Sequence, residues 1–249
     1  MSTISIITAT FNAVSTLSEC LSSVAKQVFA NVEHIVVDGR STDRTVDIVR
    51  KYPHVSLIVS EPDNGIYDAM NKGINLSTGE VVGILNADDF YASTNVLEEV
   101  EQVFQNSEID ACYGDLLYVS ETDPGKVVRS WKSGNFSVEK FYWGWMPPHP
   151  TFFVRRSIYE RFGGFNLELG SAADYELMLR FLVRHKIKAA YIPEVLVKMR
   201  TGGVSNASLR NRVLANRMDR RAWEVNNLKP FPWTLWMKPL RKVGQWLVK

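Results

Sequence analysis

One pattern repeats through the first half of the chain and leaves few folds open: a short apolar run stops in polar residues, and a helical pattern follows. The run at 4–8 ends in the polar loop 9–12, and Leu17, Leu21, Val24 and Val28 then recur at helical spacing, predicting a helix over 15–28. The run at 34–37 ends on Asp38, after which Ser41, Thr42 and Asp43 offer cap residues for a helix through Val46, Val49 and Arg50. The run at 55–59 meets the turn Glu61-Pro62-Asp63-Asn64-Gly65, and 66–76 reads as helix. The last run, Val81-Val82-Gly83-Ile84-Leu85, breaks into Asn86-Ala87-Asp88-Asp89 before a helical stretch at 94–104. Unbroken apolar runs mark strands covered on both faces, and strand–helix alternation winds a parallel sheet. The expected fold class is α/β, a mostly parallel sheet flanked by helices. Ligands of such sheets lie outside the carboxyl ends of the strands, so 8–12, 38–43, 61–65 and 86–89 should converge on one edge and form a nucleotide site.

The adjacent carboxylates of Asp88 and Asp89 repel each other. A hard divalent cation that keeps waters and bridges to substrate phosphates would relieve that repulsion; a solvated turn with an Asp cap accounts for the same residues equally well.

The second half is less regular. Runs at 111–113, 116–119 and 127–131 surround an Asp123-Pro124-Gly125 turn and read as a hairpin. Met146-Pro147-Pro148-His149-Pro150 is a stiff, non-helical approach to a strand at 151–154. A helix is expected over 172–185, strands over 188–192 and 195–199, and a loop at Gly202-Gly203. The expected organisation is one domain over 1–208, with the nucleotide site in a first half at 1–106 and a second half at 107–208, followed by an appendage at 209–249.

That appendage differs in composition. It holds ten Lys or Arg against Asp219 and Glu224, a formal +8, which leaves −6 of the chain's +2 for residues 1–208. Four of the seven tryptophans, Trp223, Trp233, Trp236 and Trp246, lie in it. Trp236, Leu240, Val243 and Leu247 repeat at helical spacing, with Lys238, Arg241, Lys242 and Lys249 available to the other side. This suits an interfacial helix on anionic lipid, although Pro239 weakens it; a tail packed on the body and a homodimer contact are the competing readings. No nucleic-acid motif accompanies the basic aromatic stretch.

With 45% hydrophobic and 22% charged residues the chain is of globular composition. Cys20 and Cys112 share no metal-ligand spacing and form no disulfide framework, which points to a reducing compartment. There is no basic-then-apolar leader and no apolar run near the ~18 residues that span a bilayer. A cytoplasmic protein, either soluble or peripheral at the inner face of the cell membrane, is therefore expected. Neither G-x-G-x-x-G after the first strand nor G-x-x-x-x-G-K-[ST] occurs, which argues against a dinucleotide oxidoreductase and a phosphate-loop ATPase.

The motifs carry a family resemblance. Ile7-Thr8-Ala9-Thr10-Phe11-Asn12, then 34–45 with Val37-Asp38-Gly39-Arg40-Ser41, then 60–73 with Glu61-Pro62-Asp63-Asn64-Gly65-Ile66-Tyr67-Asp68-Ala69-Met70-Asn71, resemble the signatures of inverting family-2 glycosyltransferases of the GT-A fold. Leu85-Asn86-Ala87-Asp88-Asp89 stands where that family has its D-x-D, and Pro148-His149-Pro150-Thr151 and Ala173-Asp174-Tyr175-Glu176 also match, in order over about residues 3–206. The resemblance implies transfer of a sugar from a nucleotide diphosphate, uridine by default with guanosine or thymidine as alternatives, to a glycan or lipid-linked glycan acceptor. It implies Thr8, Thr10, Asn12, Asp38, Asp63, Asn71, Asn86 and Ala87 at the nucleotide, with Asp38 accepting from the pyrimidine ring. It implies Mn²⁺ or Mg²⁺ on Asp88, with His149 near the diphosphate and metal, Asp89, Trp145 and Arg200 shaping the site, and Asp174 as the general base. Asn86 replaces the first Asp of D-x-D and adds no charge.

The residues agree on the chemistry: a cation neutralises a diphosphate leaving group, and a carboxylate suffices to take a hydroxyl proton. At the start of a helix Asp174 would also be favoured as an anion or serve as an N-cap, and His149 between prolines would pack as readily as ligate. Trp143 and Trp145 could stack on a sugar or fill a core. Arg220-Arg221-Ala222-Trp223 only faintly echoes the Q-x-x-R-W of processive synthases, so single addition is expected. A sugar-phosphate nucleotidyltransferase is the runner-up, but 8–12 lacks the glycine- and arginine-rich loop that class brings; a nucleotide-sugar binder without turnover is the third reading.

Overall fold

The computed structural model describes residues 2–202 and 209–238, with side chains from 216 onward in the second stretch. Its first half alternates as expected: β1 (Ile4–Thr10), α1 (Leu17–Ala25), β2 (Val32–Asp38), α2 (Thr45–Val49), β3 (Val55–Ser60), α3 (Ile66–Leu76) and β4 (Val81–Ile84). The four strands pair in parallel in the order β3-β2-β1-β4. Ile4 and Ile6 point into one core layer and Ile7 and Ala9 into the other, the period-2 signature of a strand covered on both sides. α3 lies very close to β1: a Cβ on Gly73 would fall 2.4 Å from the Ile7 side chain, so only glycine fits there.

The sheet continues through β5 (Phe90–Tyr91), α4 (Val96–Phe104), β6 (Ala111–Val119), β7 (Val127–Trp131), α5 (Val138–Tyr142), β8 (Phe153–Arg155), α6 (Arg156–Phe162), α7 (Ala173–Met178) and β9 (Ala189–Arg200). Beyond β4 the order is β8-β6-β9-β5, with antiparallel pairs at β4–β8, β6–β8 and β5–β9, a parallel pair at β6–β9, and β7 on β6.

Three expectations are refined. The runs at 111–113 and 116–119 form one strand, as do 188–192 and 195–199. Each break is a register shift in the β6–β9 pairing, where Pro193 interrupts the ladder and Tyr113 and Asp115 meet Tyr191 and Val195. The strand foreseen at 151–154 starts later, after a 3₁₀ turn at His149–Thr151. The helix foreseen over 172–185 is α7 followed by a π turn at Leu179–Arg184.

After 202 the described chain resumes in α8 (Leu209–Val225). Its far end is held against the body. Trp223 is fully buried and donates from Nε1 to the Tyr175 hydroxyl at 2.9 Å, and Asn226 donates to Glu176 Oε1 at 3.0 Å. Losing a buried tryptophan costs roughly 3–5 kcal/mol, so this contact anchors the segment firmly. The interfacial-helix residues Leu240, Arg241, Lys242, Val243, Leu247 and Lys249 lie outside the described residues. Among those described, no helix is long and apolar enough to cross a membrane.

Candidate active site

The carboxyl ends of β1, β2 and β3 meet in a hydrogen-bonded knot. Asp38, fully buried at the end of β2, accepts from the Ser41 amide at 3.0 Å, from the Ser41 hydroxyl, and from the Ser60 hydroxyl at 2.6 Å. Asn12 takes a positive φ of 49° and its Oδ1 accepts from the Thr42 amide at 2.9 Å, clasping the β1 loop to the β2 loop. Asp63 closes its own turn by accepting from the Gly65 amide, and its carboxylate crowds Gly39. Thr8 is fully buried and its hydroxyl is already hydrogen-bonded to His34 Nε2 at 3.0 Å, so the side chain does not face the cleft. Thr10 is also buried, but its hydroxyl has no partner.

β4 ends differently. Asp89 donates its amide to the Asn86 carbonyl at 3.0 Å, closing a tight turn. That turn is not solvated at its end: Asp89 is fully buried, and burial, then the neighbouring Asp88 charge, push its carboxyl well above the usual carboxylate range. Asn86 Nδ2 donates to one Asp89 oxygen at 3.1 Å, while Asn86 Oδ1 and Asp89 Oδ1 stay unpaired. Ala87 packs with Leu17, Leu21, Val36 and Val49 beneath the turn, and Asp88 remains partly exposed. Arg200, 7% exposed, caps the loop by donating to the Asp88 carbonyl at 2.5 Å and pairing with Glu19. It supports this loop from the fold side.

The second half contributes a carboxylate facing a histidine. Asp174 lies in the first turn of α7, one residue past its start, and the N-cap position is taken by Ala172. Asp174 Oδ1 accepts from the Tyr175 amide at 2.7 Å and Oδ2 stands 3.2 Å from His149 Nδ1. The residues read separately as base and metal neighbour are thus a pair. Tyr67 of α3 stands with them around one small cavity, and burial, then the Asp174 charge, raise its pKa. A small cavity of about 20 Å³ lies among Tyr67, Ile84, His149 and Asp174, so this group adjoins the end of β4. The Tyr118 phenol, raised chiefly by burial, also feels both Asp89 and Asp174.

Two further placements depart from expectation. Asn71 does not face the cleft: it donates to the Phe165 carbonyl at 2.9 Å and accepts from the Phe165 amide at 2.7 Å, fastening α3 to the loop before α7. Trp145 is 6% exposed, wedged among Tyr113, Phe136 and Phe141, with its indole donating to the Ser133 carbonyl; it is core. Tyr67 was not singled out. Its signal was available, since Tyr67 and Asn71 share one face of a helix at i, i+4. Arg180 was also missed; it pairs with Glu176 and donates to the carbonyls of Phe162, Gly163 and Gly164, holding the same loop.

Among the described residues no group of three or more acidic, histidine or cysteine side chains forms a closed metal cage. The donor set nevertheless fits a cation shared with a substrate. Mg²⁺ and similar ions commonly need only one or two carboxylates plus phosphates and waters, and Asp88 lies partly exposed beside two unpaired buried oxygens. Both cysteines are free and buried.

The sheet edge, the acidic end of β4 and the Asp174–His149 pair can be set beside known proteins. The family model described as Glycosyl transferase family 2 matches residues 5–163. A PGL/p-HBAD biosynthesis glycosyltransferase of Mycobacterium tuberculosis is 31% identical over 208 residues, 81% of this chain and 78% of the relative. Chondroitin synthase of Pasteurella multocida is 25% identical over 74% of this chain and 19% of its own length. Among solved structures, S. aureus TarS in complex with UDP superposes with a TM-score of 0.68 at 20% identity, covering 93% of this chain and 73% of that one. The mannosyltransferase PcManGT of Pyrobaculum calidifontis, solved with GDP-Man and Mn²⁺, gives 0.66 at 19% identity over 99% and 70%. The structural likenesses show a shared GT-A fold. The chain belongs to glycosyltransferase family 2, and it is a glycosyltransferase.

Proposed function

We propose that the chain moves one sugar from a nucleotide diphosphate, uridine first, to an acceptor hydroxyl, with inversion. The observation that carries this reading is the Asp174–His149–Tyr67 group beside the end of β4. The acceptor oxygen attacks the anomeric carbon, the bond to the diphosphate breaks in line, and Asp174 Oδ2 takes the hydroxyl proton. The Tyr175 amide holds the other oxygen of that carboxylate, and His149 fixes its plane, so the base is oriented before the substrate arrives. His149, turned to Asp174, orients the base more readily than it ligates an ion.

Asp38 keeps one acceptor position on Oδ1 beyond its three serine hydrogen bonds and would accept from the nucleobase there, with Asp63, Thr10 and Asn86 around the ribose. Asp88, together with the donor's diphosphate, would hold a Mn²⁺ or Mg²⁺ ion, whose chemistry is Lewis-acid neutralisation of the leaving group. UDP on TarS and GDP-Man with Mn²⁺ on PcManGT support a nucleotide-diphosphate donor. The acceptor in this reading is a lipid-linked oligosaccharide at the inner membrane face, reached by a chain with a basic, tryptophan-rich C-terminal stretch.

A thermal-shift panel of UDP, GDP, TDP and CDP, each with and without Mn²⁺ or Mg²⁺, tests it. A ligand at ~100 times its dissociation constant adds about 2.7 kcal/mol to native stability. The expected result is a metal-dependent shift with one diphosphate, abolished by Asp88→Ala; absence of any shift would overturn the donor site.

A further inference from the structure

Four large aromatic side chains stand out of the surface although they belong to a packed part of the molecule. Trp143 is 46% exposed, Phe231 43%, Trp233 44% and Trp236 72%. Trp143 and Trp233 rings lie 5.8 Å apart, Phe231 and Trp233 5.1 Å, and Phe231 rests on Tyr142 at 5.0 Å. The cluster thus joins the turn after α5 to the segment after α8. It is a built platform. The Thr234 hydroxyl donates to the Tyr142 carbonyl at 2.6 Å, and Gly144, at φ 75°, lets the 234–238 backbone approach to where a Cβ would sit 2.6 Å from the Lys238 nitrogen. Side chains serving only to pack this segment would be covered; these present their rings outward.

Charge says what meets them. Lys229, two residues before Phe231, is exposed. Residues 239–249, which follow Trp236 closely in the chain, carry Arg241, Lys242 and Lys249 with no acidic residue. Indole rings prefer the interfacial zone of a bilayer, and adjacent cations favour anionic headgroups. We propose that the Trp143–Phe231–Trp233–Trp236 face is the surface by which the enzyme seats on an anionic bilayer. This rests on the lipid-linked acceptor reading above and gives it a place.

The place suits the chemistry. Tyr142 beneath the platform packs on Trp223 with ring centroids 4.9 Å apart and planes tilted by 60°, and Trp223 bonds Tyr175, the neighbour of the proposed base. Trp143 also precedes His149 by only six positions. An acceptor whose apolar carrier stays in the bilayer would meet Asp174 from this side, while the donor edge remains open to water.

The test is flotation of the full chain with vesicles of phosphatidylcholine alone and with vesicles containing an equal share of phosphatidylglycerol. The native chain should float with the anionic vesicles. The variant Trp143→Ser/Trp233→Ser/Trp236→Ser should partition on the order of tenfold more weakly, while keeping the native nucleotide-induced thermal shift. Trp236→Ser alone, the least packed of the rings, should show a smaller loss in the same direction and decides the matter if the triple variant fails to fold. Equal flotation of variants and native chain would overturn the platform and leave lipid contact to residues beyond 238. No flotation of the native chain would remove the bilayer together with the platform, while the nucleotide shift would still report separately on the transferase reading. A native dimer converted to monomer by the variant, without lipid binding, would make the face a contact between copies.

Discussion

The loops closing β1 and β2 hold the same kinds of residue as the loop closing β4, and they use them in opposite ways. At 8–12, 38–43 and 60–65, Asp38 gathers Ser41 and Ser60, Asn12 bonds the 41–42 turn, and Asp63 bonds the Gly65 amide, so all but the Thr10 hydroxyl of this edge is tied before any ligand arrives. At 86–89, Asn86 and Asp89 each keep a buried oxygen without a partner, and Asp89 is buried against a like charge. Leaving such groups unmet costs about 1–3 kcal/mol each. The contrast separates polar residues that build the edge from those left for something else to satisfy; Asp174, with one oxygen on the Tyr175 amide and the other facing His149, stands between the two kinds.

The comparison breaks most visibly at Asp174. Asp174→Asn should lower turnover of the nucleotide sugar by about 10²–10⁴-fold with the diphosphate-induced thermal shift intact; a variant as active as the native chain would remove the base from the mechanism. Next comes a matched pair in chemical denaturation. Asp38→Ala strands the Ser41 and Ser60 donors and should destabilise by roughly 2–4 kcal/mol, whereas Asp88→Ala should stay within about 0.5 kcal/mol. Equal losses from both would mean that the β4 loop is as much framework as the β2 loop.

Acid sharpens the contrast by sign. Burial beside His54 lowers the His34 imidazole to about 3, so the native state binds fewer protons than the unfolded chain below the ordinary histidine pKa. Stability held through His34 is complete above about pH 6.5 and falls as pH drops towards 3, by at most about 1.4 kcal/mol per unit. Asp89 runs the other way: its raised pKa lets the native state take up a proton first, so stability increases as pH falls towards the ordinary aspartate range. In a series of melts from pH 7 to about pH 4, His34→Gln should flatten the acid loss and Asp89→Asn should steepen it. Parallel profiles for the two variants would contradict the opposite burial of these groups.

How much of this was legible follows from what periodicity and motif order record. The parallel half was readable because its strands are continuous apolar runs and its loops change composition abruptly, and Asp38, Asp88 and Asp174 stand where their motifs put them. The uses of Thr8 and Asn71 were not readable. Both lie in the right motifs, but which way a side chain points depends on partners far along the chain, His34 for one and Phe165 for the other. The merging of β6 and β9 into long strands was hidden for a similar reason, since the irregularities at 114 and 193 make sense only when the two are laid side by side. Trp145 gave no signal at all, because a core indole and a sugar platform have the same sequence.

The turn at 86–89 is pinned at both ends: β4 stops at Ile84 in register with Ile7, and Phe90–Tyr91 immediately pairs with Lys198 and Val197 of β9. Arg200 of that same strand reaches back over the turn. A residue added or lost between those two ends must be taken up within 85–89, or it exchanges the faces of Phe90 and Tyr91 against β9.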